Sequence, residues 1–410
     1  MDELKNFCLK YPKFFIRLMS LRYSWKFEQL EKYESILDWD LMSENENIIW
    51  TDEILFDFWF KCNWDKLSAN KSIPFTEKFI EEYRTEFNWH KLSENLSLTC
   101  SLNLIEKYKY KWDWYYLTGN ESIQWDMIIN DLSVFNIIEP LEPFWGLLAG
   151  HPNINFTPGL LRKHLSRWNW FSLSRNDSIN WKPEMIKEFS SYLDWNGLCA
   201  NVGFLWDEEK IETYFEKIDW ENLSSNPMLP WSEELIEKYH HLWNWSRLSM
   251  NSGIYWTDEM IRKYYDKLNW HSLSANSSLS WTKELLNQFR YLWDWKKIVQ
   301  NPGIKWTDEI VEQFYTVIDF KVLSWNKNLA VSDTIFEESK HYWDFSRIAR
   351  NPSIKWSIVF IEKYKDRWIT DIALVENVWL QIFKDELNDS LMEEILSQTD
   401  AFEVKRFKLE

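Results

Sequence analysis

The sequence predicts an all-α protein, an α-solenoid of about fourteen 25-residue, two-helix repeats with a helical cap at each end. Three observations carry this. Trp220, Trp245, Trp270 and Trp295 fall 25 residues apart, and so do Trp206, Trp231, Trp256, Trp281 and Trp306. Both series keep the same polar punctuation, with Asp or Asn before the first Trp and Asn six residues after it. With 8 Gly and 11 Pro in 410 residues, the chain also lacks the turn-rich composition of a β-fold. A fixed period of this length marks a repeat array, in which one supersecondary motif recurs along the chain.

Taking the first Trp as position zero, anchors fall at Phe14, Trp39, Trp64, Trp89 and Trp114, then after a step of 31 at Trp145, and again every 25 residues to Phe320 and Phe345. The residue before the anchor is Asp or Asn in twelve of the fourteen repeats, which is N-cap chemistry. A short helix of about two turns follows, with Leu or Ile at +3 and Ser often at +4. Asn at +6 is expected to end it in the left-handed conformation that Asn tolerates. Ser at +4 lets neighbouring short helices approach closely, which puts them on the tighter side of the stack. A bridging stretch then carries an aromatic at +11, Trp in ten repeats. Thr, Ser or Asp at +12 caps a second helix of about eleven residues, whose first turn is acidic, as in Asp258–Glu259. Pro158 and Pro183 sit where a first helical turn accepts proline.

Helices this short do not persist alone, so stability must come from stacking repeat on repeat. The organisation that follows is a cap at 1–13, the repeats at 14–369 with a six-residue insertion near 136–143, and a helical cap at 370–410. Thr370 stands in the next anchor slot, and Glu376 stands where Asn is expected. The Trp residues read as core, and Trp245 and Trp256 are expected to be buried.

Composition narrows the function. The net charge of −17 repels phosphate backbones, so nucleic acid is an unfavoured partner. Cys8, Cys62, Cys100 and Cys199 show no C-x-x-C spacing and read as buried thiols of a reducing compartment. The N-terminal stretch has no long apolar run, and none elsewhere would span a bilayer, so a cytoplasmic location without a membrane is expected. No zinc-binding His spacing, phosphate loop or nucleophile motif occurs; no metal, cofactor or enzymatic activity is expected.

The chain then reads as a non-enzymatic scaffold that binds a protein partner, one with a basic surface to match the acidic total. The side chains that change from repeat to repeat are +1, +2 and +5 on the short helix. Candidate binding residues there are Tyr115, Tyr116, Phe171, His271, Lys296, Lys297, Lys321 and Arg347. The alternatives are a glycan-binding protein using exposed aromatics and a nucleic-acid-associated protein using the basic patch near Lys296.

The recurring phrase Trp231-SEELIEKY, followed by Trp243-Asn244-Trp245-SRLS and Asn251, resembles tryptophan-rich short helical repeats of uncharacterised bacterial and large-DNA-virus proteins. The resemblance spans roughly residues 14 to 369. It implies a repeat fold and carries no chemistry.

Overall fold

The computed structural model describes residues 2–130, 144–368 and 374–403. The expected insertion at 136–143 and the Thr370 slot lie outside them. The fold is the all-α repeat solenoid, with neighbouring helices packing in series. The chain divides into two compact units, Met1–Ile123 with Asp344–Glu410, and Gln124–Trp343.

The repeat around Trp245 shows how the residues make the motif. Asn244 has an extended backbone, and its side chain accepts the amide N–H of Arg247 at 3.1 Å, which starts the anchor helix Trp245–Met250. Leu248 and Ser249 on its inner face are buried. The Ser249 hydroxyl donates to the Trp245 carbonyl (2.7 Å) and accepts the Asn269 amide of the next repeat (2.9 Å). In the repeat of Trp195 the +4 residue is Cys199, and the Asp219 amide meets its sulfur at 3.4 Å.

Asn251 ends the helix differently from expectation. Its φ and ψ are −68° and 119°, an extended conformation rather than a left-handed one. The reason is an Asx turn: its Oδ1 accepts the Gly253 amide at 2.8 Å. Its Nδ2 is thereby freed to donate to the carbonyls of Ser224 (2.8 Å) and Asn226 (3.1 Å) in the preceding repeat. The same pattern joins Asn70 to Ser43 and Asn45, and Asn301 to Ser274 and Asn276. Where His151 replaces Asn, its Nδ1 takes the place of the amide oxygen against the Asn153 amide, at 3.2 Å.

The bridging stretches pair as rudimentary parallel strands. Trp306 lies opposite Leu329 and Thr307 opposite Ala330, and an isolated bridge joins Phe75 to Leu98. In both places a +11 residue meets the +9 residue of the next repeat.

The second helix is shorter than the eleven residues expected. Capped by Thr257 or Ser232, it runs over Asp258–Lys263 or Glu233–Lys238 and then gives way to turns. Indole donors explain the early end. The Trp243 N–H donates to the Ile236 carbonyl (3.2 Å) and the Trp245 N–H to the His240 carbonyl (3.1 Å). The Ile236 carbonyl of the last helical turn and the His240 carbonyl of the turn after it are thus satisfied by side chains instead of by further helical turns.

The indole bond also corrects the expected burial of Trp245. Trp256 is 3 % exposed, but Trp245 is only half-buried, as are the other Trp anchors. An anchor whose N–H reaches a carbonyl five residues back lies along the surface edge of the core. Phe14, Phe320 and Phe345 carry no such donor and are buried.

The terminal repeats depart from the rule in definable ways. In the first, Ser20 occupies the Asn offset but makes the contacts of the +4 serine: its hydroxyl accepts the Asp38 amide (3.0 Å), and its carbonyl accepts from Asn45 (2.9 Å). At the other end Glu376 holds the Asn slot, and Asn377 makes the contact, donating to the Ala349 carbonyl at 2.9 Å. Gln381 adds bonds to the Ile354 carbonyl and the Trp356 amide. In the C-terminal segment, Phe383, Leu391 and Ile395 are buried, whereas Leu380 is 53 % exposed.

Candidate interaction surface

Stapling consumes the inward positions of each anchor helix and leaves +1, +2 and +5 outside. Within the second compact unit, successive anchor helices such as Trp220–Ser225, Trp245–Met250 and Trp270–Ala275 pack directly on one another, the close approach expected from serine at +4. Their outer positions therefore form rows, one residue per repeat.

The rows are partly laced by ion pairs between repeats. Lys66 and Lys91 at +2 pair with Asp40 and Asp65 at +1 of the preceding repeat, and Arg247 pairs with Glu221 at 3.1 Å. The hydrogen bonds from Lys66 and then Asn63 hold the Asp40 carboxyl below its usual range, and those from Lys91 and Asn88 do the same for Asp65. At two places the polarity is reversed. His90 and His271 stand at +1 and bond Asp113 (2.7 Å) and Asp294 (2.6 Å), the N-caps of the following repeats. An Asp-to-Asn contact has become a His-to-Asp contact, so both histidine–carboxylate pairs are links between repeats.

The candidate residues divide between the compact units. In the first lie Tyr115, Tyr116 and Arg347. Tyr115 is 58 % exposed, while Tyr116 turns its ring edge-on to His90, centroids 4.3 Å apart. Arg347 bonds Asp344 at 3.1 Å. In the second lie Phe171, His271, Lys296, Lys297 and Lys321. Phe171 is exposed, with the Arg175 guanidinium 3.5 Å above its ring. Lys296 and Lys321 are exposed and Lys297 is half-buried. The backbone amides of Lys296 and Lys297 both donate to Asp294. Partial burial disfavours the charged form of Asp294, but the His271 bond and these two amides outweigh it and keep the carboxyl low. The position that would neutralise Lys297 from the preceding repeat is His271, so the acid–base lacing seen at Lys66, Lys91 and Arg247 does not extend to it.

Two kinds of exposed residue escaped the sequence reading. Met250 and Trp325, both at +5, are 47 % and 51 % exposed. The variability of +5 was a usable signal. The other kind lies after the second helix, where Tyr110 and Tyr291 at +21 are almost wholly exposed. That position falls in the turn that the longer expected helix had covered, so no signal marked it.

Burial pushes the Cys8, Cys62, Cys100 and Cys199 thiols up to about 12, far from nucleophilic use. Among the described residues no group of three His, Cys, Asp or Glu side chains is placed to hold a metal, and no helix is long and apolar enough to cross a membrane. Comparison with family models, curated proteins and solved structures finds no match to this chain.

Proposed function

We propose that this chain is a non-enzymatic cytoplasmic scaffold that binds a protein partner along the outer faces of its anchor helices. The observation that carries the reading is the division of labour within each repeat. Asn at +6, Ser at +4 and the Trp indoles are spent on stapling, while +1, +2 and +5 differ from repeat to repeat and face outward. Repeat arrays use such rows for recognition. The charge of −17 favours a partner that is basic overall, with Lys296 and Lys297 supplying a local contact for a carboxylate. Both histidine–carboxylate pairs are exposed and bridge neighbouring repeats, which removes the main reason to assign catalysis.

A second reading, glycan binding, is favoured by the exposed rings of Tyr110, Tyr115 and Tyr291. A glycan array and a protein capture from the native host separate the two. A captured protein that binds the purified chain directly, with no array signal, supports the scaffold. An oligosaccharide signal that is lost in Tyr291→Ala or Tyr115→Ala overturns it.

A further inference from the structure

The junction between the N-terminal and C-terminal segments of the first compact unit is built unlike the junctions between repeats. Between repeats, the surface ion pairs lie over buried Asn amides and Ser hydroxyls that bond the neighbouring main chain. Among the described residues, five ion pairs cross this junction, each with its cation on the N-terminal segment and its carboxylate on the C-terminal one. Lys5 pairs with Glu394, Lys10 with Glu362 (2.6 Å), Arg22 with Glu376 (2.8 Å), Lys26 with Asp389 (2.6 Å) and Lys32 with Glu393 (2.9 Å). Tyr11 and Tyr23 add hydroxyl bonds to Glu362 and Asp389. Five cations of the first 32 residues thus face carboxylates of residues 362–394. Beneath them, Leu4, Phe7 and Phe15 on one side and Phe383, Met392 and Ile395 on the other are buried, with the Phe15 and Phe383 rings 6.4 Å apart.

We propose that this junction is a salt-sensitive clasp that opens while the stapled repeats stay folded. Exposed ion pairs are weakened by added salt, whereas buried amide-to-backbone bonds are shielded from it. All five pairs are partly exposed, so they weaken together. The repeats on either side keep their Asn ladders when the clasp parts, which makes opening a local event of low cost relative to unfolding.

Hydrogen exchange of the full chain, resolved by peptide, tests this. Raising NaCl from about 0.1 M to about 1 M shrinks the Debye length from ~10 Å to ~3 Å. The expected result is that amides of Asp2–Lys10 and Leu391–Leu396 exchange about tenfold faster, equivalent to ~1.4 kcal/mol. Peptides of Trp89–Glu94 and Trp245–Met250 should be unchanged. At low salt, Lys26→Glu with Lys32→Glu should reproduce the acceleration, and adding Asp389→Lys with Glu393→Lys should reverse it. Terminal amides indifferent to salt would overturn the clasp, because apolar burial would then govern the junction. Equal acceleration of all peptides, or failure of the charge swap to rescue, would overturn it as well.

Discussion

The side-chain amide of Asn251 donates to the main-chain carbonyl of Asn226 at 3.1 Å, exactly one repeat away in sequence, and Asn226 makes the same bond to Asn201. Register is therefore fixed by a chain of buried Asn side chains, each reading the backbone of the Asn before it. Replacing Asn251 with Ala leaves the Ser224 and Asn226 carbonyls and the Gly253 amide without this partner. A loss of roughly 2–4 kcal/mol is expected, read from the urea denaturation midpoint. Asn251→Asp should be worse, since it sets a carboxylate against two carbonyls.

The +4 hydroxyl gives a graded test. Ser249→Ala removes both the bond to Trp245 and the acceptor for Asn269, for an expected loss of about 1 kcal/mol. Ser249→Cys should lose less, because Cys199 already receives the Asp219 amide in the same role. Equal losses in the two variants would show that only the volume of the side chain matters there.

Gly253 marks a backbone approach. A Cβ placed on it would lie 2.0 Å from the Pro227 carbonyl oxygen of the preceding repeat, whereas one on Gly119 would meet nothing within 4 Å. Gly253→Ala should lower the melting temperature clearly. Gly119→Ala, inside an anchor helix, should leave it unchanged or raise it slightly, as helix propensity favours Ala by about 1 kcal/mol. The reverse order would mean that the repeats are not in this register.

These positions also show what the sequence could reveal. The period, the caps at −1 and +12 and the recurrence of Asn at +6 are legible because each repeats in register. The helix lengths and anchor burial were not legible, since an apolar stripe reports which residues face inward but not where hydrogen bonding changes hands. Only the structure shows the indoles of Trp243 and Trp245 bonding carbonyls of the last helical turn and of the turn after it. Ser20 and Glu376 mislead for a related reason: the contact was kept while its sequence offset moved. For the binding surface, variability picked out Lys296 and Phe171 as outward-facing, but could not tell that His271 is bonded to Asp294.

The indole account predicts a difference between anchors. Trp245→Phe removes the bond to the His240 carbonyl and should cost about 1 kcal/mol, while keeping most ring contacts. Trp256→Ala, at a fully enclosed position, should cost about 3–5 kcal/mol. Chemical denaturation of the two variants side by side checks this. A Trp245→Phe variant as stable as the parent would remove the hydrogen bond from the account.

Acid should weaken the lacing between repeats. Asp40, Asp65 and Glu237 are held below the ordinary carboxyl range by bonds led by Lys66, Lys91 and Lys263 respectively. With the folded value depressed, the unfolded chain binds the proton first. The stabilisation is then complete above the ordinary carboxyl value of about 4 and is lost as pH falls through the lower folded values. The urea midpoint should stay flat from about pH 7 to about pH 5 and decline below about pH 4. A midpoint that held or rose in acid would contradict the pairing.

The scaffold reading stands or falls on the outward row of the anchor helices, and titration calorimetry with a captured protein partner measures it directly. Lys296→Glu with Lys297→Glu alters that row without touching the Asn ladder, and Lys238→Glu, beside Glu208 and Glu212 on a second helix, serves as the control. The account predicts roughly tenfold or greater weakening for the double variant, equivalent to ~1.4 kcal/mol or more, and near-parental affinity for the control. Unchanged affinity of the double variant, with circular dichroism equal to that of the parent, would contradict it.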